Sequence, residues 1–197
     1  MKMSLATLTV ALALPVLSFA KVQIAPGTYN IDPMHSKIGF EIPHLVISTV
    51  EGKFEKFDGK IVADKDLAKS KVEVNIDAAS INTAVEKRDE HLKSPDFFDV
   101  AKHAKLSFVS KKVTVTGNGL KIQGALTIKG VSKDVTLDAN YLGQVKDGYG
   151  NEKIAFKAKT KINRKDFGLT WSNMVEAGPV VGDEVEIQLN IQAALAK

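Results

Sequence analysis

Any chemistry in this chain would have to come from four histidines (His35, His44, His91 and His103), from the serine beside the first of them, and from one polar cluster, Arg88, Asp89 and His91. Two imidazoles share a metal when they stand at i, i+4 on a helix or in an H-x-H pair, and these four do neither. The chain also lacks cysteine, so no disulfide, thiolate site or metal is expected. Ser36 follows His35 directly, but neighbouring strand residues point to opposite faces and no nucleophile-elbow glycines flank any serine. No phosphate-cradling glycine loop is present. We therefore assign no catalytic residue and no cofactor.

Arg88, Asp89 and His91 admit two readings. They could hold the polar end of a ligand, because a mostly apolar pocket needs a few placed polar groups to orient its guest. Alternatively, Arg88 could donate to carbonyls at strand ends, or to Asp89 or Asp99, and lock a helix in place. The structural reading is favoured, since a guanidinium on a buried helical face is costly unless paired.

That cluster sits in Ala84 to Asp99 (AVEKRDEHLKSPDFFD), the one segment with a helical pattern, and a helix is predicted over about 84–93. Thr83 and Glu86 have the spacing of a capping box, and Ser94-Pro95 ends the run. Val85, Arg88 and Leu92 share one face, with Phe97 and Phe98 following as anchors.

Residues 1–20 are a different kind of segment. Lys2 is their only charge, Leu5 to Leu17 is apolar, and Ser18-Phe19-Ala20 has the form of a signal-peptidase site. The apolar run is shorter than the ~20 residues of a spanning helix, so cleavage rather than stable membrane insertion is expected. Residues 21–197 then form one domain. Its charges, from a chain total of 27 Lys and Arg against 23 Asp and Glu, are spread evenly and make no basic tract for nucleic acid.

The rest alternates. Val72, Val74 and Ile76 oppose Lys71, Glu73 and Asn75, and the same period runs through Leu106 to Val115, Leu120 to Ile128, Val131 to Tyr141, Ile154 to Ile162 and Val185 to Ile191. Thr28 to Ile42, interrupted by Pro33, and Gly52 to Val62 complete about eight strands. Gly117-Asn118-Gly119, Lys129-Gly130 and Asp147-Gly148 mark turns. With one short helix to cover them, the apolar faces must cover each other, which predicts an all-β, eight-stranded antiparallel up-and-down barrel. Such a barrel is either filled or holds one small ligand. Ala78, Gly124, Ala139 and Ala158 at or near inward positions lean towards a cavity. A long apolar loop at about 165–182, with Phe167, Leu169, Trp171, Met174 and Val175, is expected to close a barrel end, frame an entrance or pack as a satellite core.

YNIDPMHSKIGFEIPHL, VEGKFEKFDGKI, RDEHLKSPDFFDV, LSFVS, GALTIKGVSKDV, RKDFGL and VGDEVEI, in this order and spacing, resemble the YceI family over about Gly27 to Ala194. The resemblance implies a lipocalin-like barrel, exported to the periplasm, whose elongated apolar pocket binds a polyisoprenoid or similar lipid without catalysis. Residues expected to line that pocket are Phe40, Val74, Ile76, Phe108, Leu126, Leu137, Ala139, Phe156, Ile162, Trp171, Leu189 and Ile191. The alternatives are an enzyme acting on such a lipid, or a filled barrel with a stress or adhesion role. The partner expected is a hydrophobic small molecule, and a monomer and a homodimer are both open.

Overall fold

Alternating sequence becomes antiparallel ladder almost throughout the computed structural model, which describes residues 22–117, 119–176 and 178–197. The expected signal peptide, 1–20, lies outside the described residues. In chain order the strands are β1 (Gly27–Ile31), β2 (Lys37–His44), β3 (Ser48–Phe54), β4 (Phe57–Ala63), β5 (Lys71–Asp77), β6 (Ile81–Asn82), β7 (Lys105–Thr116), β8 (Gly119–Ile128), β9 (Val131–Lys146), β10 (Glu152–Asn163), β11 (Met174–Val175), β12 (Gly178–Pro179) and β13 (Glu184–Leu195). One helix, α1 (Glu86–Lys93), stands among them.

Pairing follows the order β1-β4-β5-β7-β8-β9-β10-β13, and β13 returns to β1, so eight strands close an antiparallel barrel. β2 and β3 continue this wall. β13 pairs with β1 through residues 193–195 and with β2 through residues 186–190, so β1 and β2 are two halves of one strand broken by a 3-10 turn at Pro33–His35. The Gly52–Val62 strand expected from sequence is likewise broken, at Glu55 and Lys56, into β3 and β4. There Ser80 takes both backbone N–H groups: the Ser80 carbonyl accepts from Glu55, and its hydroxyl oxygen accepts from Lys56 at 3.0 Å. The break lets β3 turn away from the barrel axis and pair with β6.

The turn expected at Lys129-Gly130 forms. Ile128 and Val131 are paired, so Lys129 (φ +48°) and Gly130 (φ +75°) form a two-residue turn with both central residues left-handed, which matches strand twist. A side chain at 130 would run into the His103 ring, whose Cε1 would lie 2.9 Å from the added carbon.

Two connections depart from the expected pattern. α1 starts at Glu86, after an N-cap at Val85 that supplies no side-chain bond, so Thr83 and Glu86 do not form a capping box. Instead Asp89 reaches back and accepts from both the backbone N–H and the hydroxyl of Thr83. The 165–182 segment also has internal order: a 3-10 turn (Arg164–Phe167) buries Phe167, and β11 pairs with β12.

Register shows how the ends of the barrel are furnished. The β4–β5, β7–β8 and β9–β10 connections lie at one end, together with the N-terminal segment from Val22 and the C-terminus of β13. At the other lie α1 with its flanking segments, the β2–β3 and β8–β9 turns, and the long loop.

Candidate functional site

Residues that point inward from the barrel wall do not meet in the middle. They enclose an elongated cavity of about 560 Å³ with almost entirely apolar walls. It runs from Ile24, Ala63 and Leu67 at one end to His44, Val85, Arg88, His91 and Trp171 at the other.

Each residue expected on sequence grounds to line a pocket does line this cavity. Phe40 comes from β2, Val74 and Ile76 from β5, Phe108 from β7, and Leu126 from β8. Leu137 and Ala139 come from β9, Phe156 and Ile162 from β10, Leu189 and Ile191 from β13, and Trp171 from the loop. Alternation explains this, because in an antiparallel pair residues opposite each other share a face: Phe108 faces Leu126, Phe156 faces Ile191, and Ala158 faces both Leu189 and Ala139. Of the four small residues thought to favour a cavity, Ala139 and Ala158 line it. Ala78 is buried in a 3-10 turn instead. Gly124 makes room for a neighbour: an added Cβ would lie 2.5 Å from the Phe108 ring, so the space is already filled.

At the α1 end the polar cluster takes a form the sequence only half shows. The half-buried Arg88 donates from Nε to the Thr83 hydroxyl oxygen at 2.7 Å and from a terminal nitrogen to the Thr83 carbonyl at 2.8 Å. It pairs with neither Asp89 nor Asp99. Thr83 therefore mediates between cation and carboxylate, taking hydrogen bonds from Arg88 and giving two to Asp89. His91 shares a 2.8 Å hydrogen bond with Asp96, and its ring stands edge-on to both Phe97 and Trp171. The face of Val85, Arg88 and Leu92 borders the cavity, as do Phe97 and Phe98.

Arg164 is the buried polar residue that sequence reasoning missed. Only 3% of it is exposed. Nε donates to the Gly182 carbonyl at 2.8 Å, one terminal nitrogen to the carbonyls of Leu169 and Trp171, and the other to Val181 and the Asp183 carboxylate. Burial pulls its pKa down, against the opposing charge of Asp183. The planar fork of donors ties both ends of the long loop to one point. In the sequence its only signal was membership in RKDFGL.

The groups that could have suggested catalysis are otherwise engaged. Ser36 donates from its hydroxyl to the Gln192 carbonyl on β13, whereas His35 bonds to Asp32. Among the described residues, no three His, Asp or Glu side chains gather as a metal site.

A closed antiparallel barrel around a long apolar lumen, with its few charged side chains at one end, defines a lipocalin-like barrel protein. The chain belongs to the YceI-like domain family, whose pattern matches residues 29–193. A UPF0312 protein of Serratia proteamaculans is 41% identical over 172 residues, covering 86% of this chain and 87% of the relative. Protein YceI of Escherichia coli is 36% identical over 189 residues, covering 92% and 96%. Among solved structures, a YceI protein of Campylobacter jejuni is 35% identical with a TM-score of 0.68, covering 79% of this chain and 90% of that one. A polyisoprenoid binding domain from Saccharophagus degradans, at 17% identity and a TM-score of 0.61 over 87% of this chain and all of its own, shares the fold.

Proposed function

We propose that this protein is an exported, non-catalytic carrier that holds a long apolar chain, a polyisoprenoid, prenyl quinone or fatty amphiphile, inside its barrel. The observation that carries the reading is the shape and lining of the lumen: it is long and almost entirely apolar, with its charged side chains gathered at the end where α1 and the loop meet it. Burying a methylene contributes about 0.8 kcal/mol. A chain of many such units can therefore offset its ordering cost and reach the roughly −8 kcal/mol of micromolar binding. A filled barrel would have no space of this size. Membership of the YceI-like family and the polyisoprenoid binding of the Saccharophagus degradans neighbour support the same ligand class. The leader-like residues 1–20 support export to the periplasm.

In this reading the twelve cavity-lining positions hold the chain. Arg88, Lys87 and His91 set the polarity of the end where a head group would rest. The test is organic extraction of purified protein with mass spectrometry, followed by delipidation and reloading with long prenyl alcohols and quinones. Stoichiometric recovery of one lipid class, chemically unchanged after incubation, is expected. Absence of bound lipid together with failure to reload would overturn the carrier reading, and turnover of the reloaded lipid would make the protein an enzyme.

A further inference from the structure

The barrel wall is not hydrogen-bonded all the way round. The β9–β10 ladder runs from Glu152↔Lys146 only as far as Lys159↔Asp138. Beyond it, residues 131–137 of β9 pair only with β8, and residues 160–163 of β10 pair only with β13. Two strand edges thus diverge towards the end of the barrel that carries the long loop.

A groove of about 370 Å³ lies on the outer surface at this gap, bordered by Lys133, Thr136, Lys161 and Asn163 among others. Val135, Thr160, Ile162 and Phe167 border this groove and the lumen alike. At this place the partition between lumen and solvent is therefore only side chains thick. Along the paired parts of the eight-stranded ring, opening the wall would break main-chain hydrogen bonds.

We propose that this gap is a second opening of the lumen, through which the tail of an apolar chain longer than the barrel emerges. The inference rests on the carrier reading. The lumen already reaches the surface beside α1, where the exposed Val85, Lys87 and Pro43 border it. β13, β10 and the Arg164-pinned loop stand between that opening and the gap. Two physical requirements are then met together. Strands of ten to twelve residues rising ~3.4 Å each and tilted about 40° give a lumen roughly 25 to 30 Å long, so a chain of many isoprene units must fold back or leave it. A chain entering a tube with one mouth must also push the displaced water back past itself, whereas a side opening lets the water out ahead of it.

The test closes the gap. Continuing the register past Asp138↔Lys159 brings Thr136 opposite Lys161. Because the native chain has no cysteine, Thr136→Cys/Lys161→Cys protein can be bridged there by a short bismaleimide without competing thiols. Delipidated wild-type, unbridged and bridged proteins would be titrated with geranylgeraniol, which has four isoprene units, and solanesol, which has nine. The expected result is unchanged geranylgeraniol affinity in all three, with solanesol weakened at least tenfold in the bridged protein alone. As a second readout, an environment-sensitive fluorophore on the single Thr136→Cys variant should shift to the blue with solanesol and stay unchanged with geranylgeraniol. Equal solanesol affinity with and without the bridge, or a label blind to both alcohols while both bind, would overturn the second opening. Binding of neither alcohol by wild type would instead overturn the carrier reading.

Discussion

The imidazole of His91 meets the indole of Trp171 edge-on, with ring centroids 5.0 Å apart, and Phe97 closes the triangle at 5.1 and 5.2 Å. This contact joins α1 to the long loop across the end of the barrel, two segments separated by some eighty residues of chain. Since the lumen is bordered by both rings, the contact couples whatever fills the lumen to the packing of its cap.

Trp171 is the only tryptophan, so its emission reports that coupling directly. Loading delipidated protein with a long prenyl alcohol should shift the emission to the blue as water leaves the indole's apolar side. An identical spectrum before and after stoichiometric loading would show that the ring does not sense the lumen.

Arg164 should be the most sensitive single position in the cap. Arg164→Ala strands the carbonyls of Leu169, Trp171, Val181 and Gly182 together, and we expect a loss of at least about 3 kcal/mol in urea unfolding. Arg164→Lys should recover little, because an ammonium cannot serve four carbonyls in that fork. A loss below about 1 kcal/mol for the alanine variant would mean that the loop is held by its apolar contacts.

Arg88 is only half-buried and makes two hydrogen bonds, both to Thr83, so Arg88→Ala should cost about 1 to 2 kcal/mol, less than a buried arginine would. Ligand retention measured on the same variant separates its roles: unchanged retention assigns Arg88 to holding α1, and a tenfold loss assigns it to the head group.

Asp32 makes stability depend on acid. Its carboxyl is partly desolvated, which raises its pKa. Hydrogen bonds from His35, the Met34 N–H and Gln192, with the His35 charge, outweigh that and hold it below the usual value. A depressed folded pKa contributes stability above the unfolded value near 4 and loses it as pH falls through the folded value. Wild type should therefore exceed Asp32→Asn by about 1 to 2 kcal/mol at pH 7, with the gap narrowing as pH falls below the unfolded value near 4. Urea midpoints measured from pH 7 down through the acid range check this, and a gap that does not narrow with acidification would contradict the assignment.

Ala139 is 3% exposed on the lumen side, between Leu120 and Ala158. Ala139→Trp should put an indole into the lumen and reduce co-purifying lipid at least several-fold while the protein still folds. Equal lipid content in wild type and variant, quantified by mass spectrometry, would place the bound chain elsewhere.

Period-two alternation in the sequence determines much of this protein. A residue such as Phe108 or Ile191 must face the same way as its neighbours two positions on, and a sheet with one apolar face and little helix to cover it must close. Eleven of the twelve lumen positions were legible for that reason, Trp171 being read instead from the apolar character of its loop, and the turns at Lys129-Gly130 and Asp147-Gly148 from their glycines. What alternation cannot express is how far each ladder runs and which distant groups meet. Glu55 and Lys56 break a strand because Ser80 is there to take their N–H groups. Thr83 serves Arg88 and Asp89 rather than capping a helix, and Gly124 yields its space to Phe108. Arg164 looked like one more surface charge until the return of the chain at Val181 to Asp183 surrounded it with carbonyls. Whether the barrel is hollow, and where its wall is unpaired, depend on small mismatches of side-chain volume and strand register summed around a closed ring, which only the tertiary structure decides.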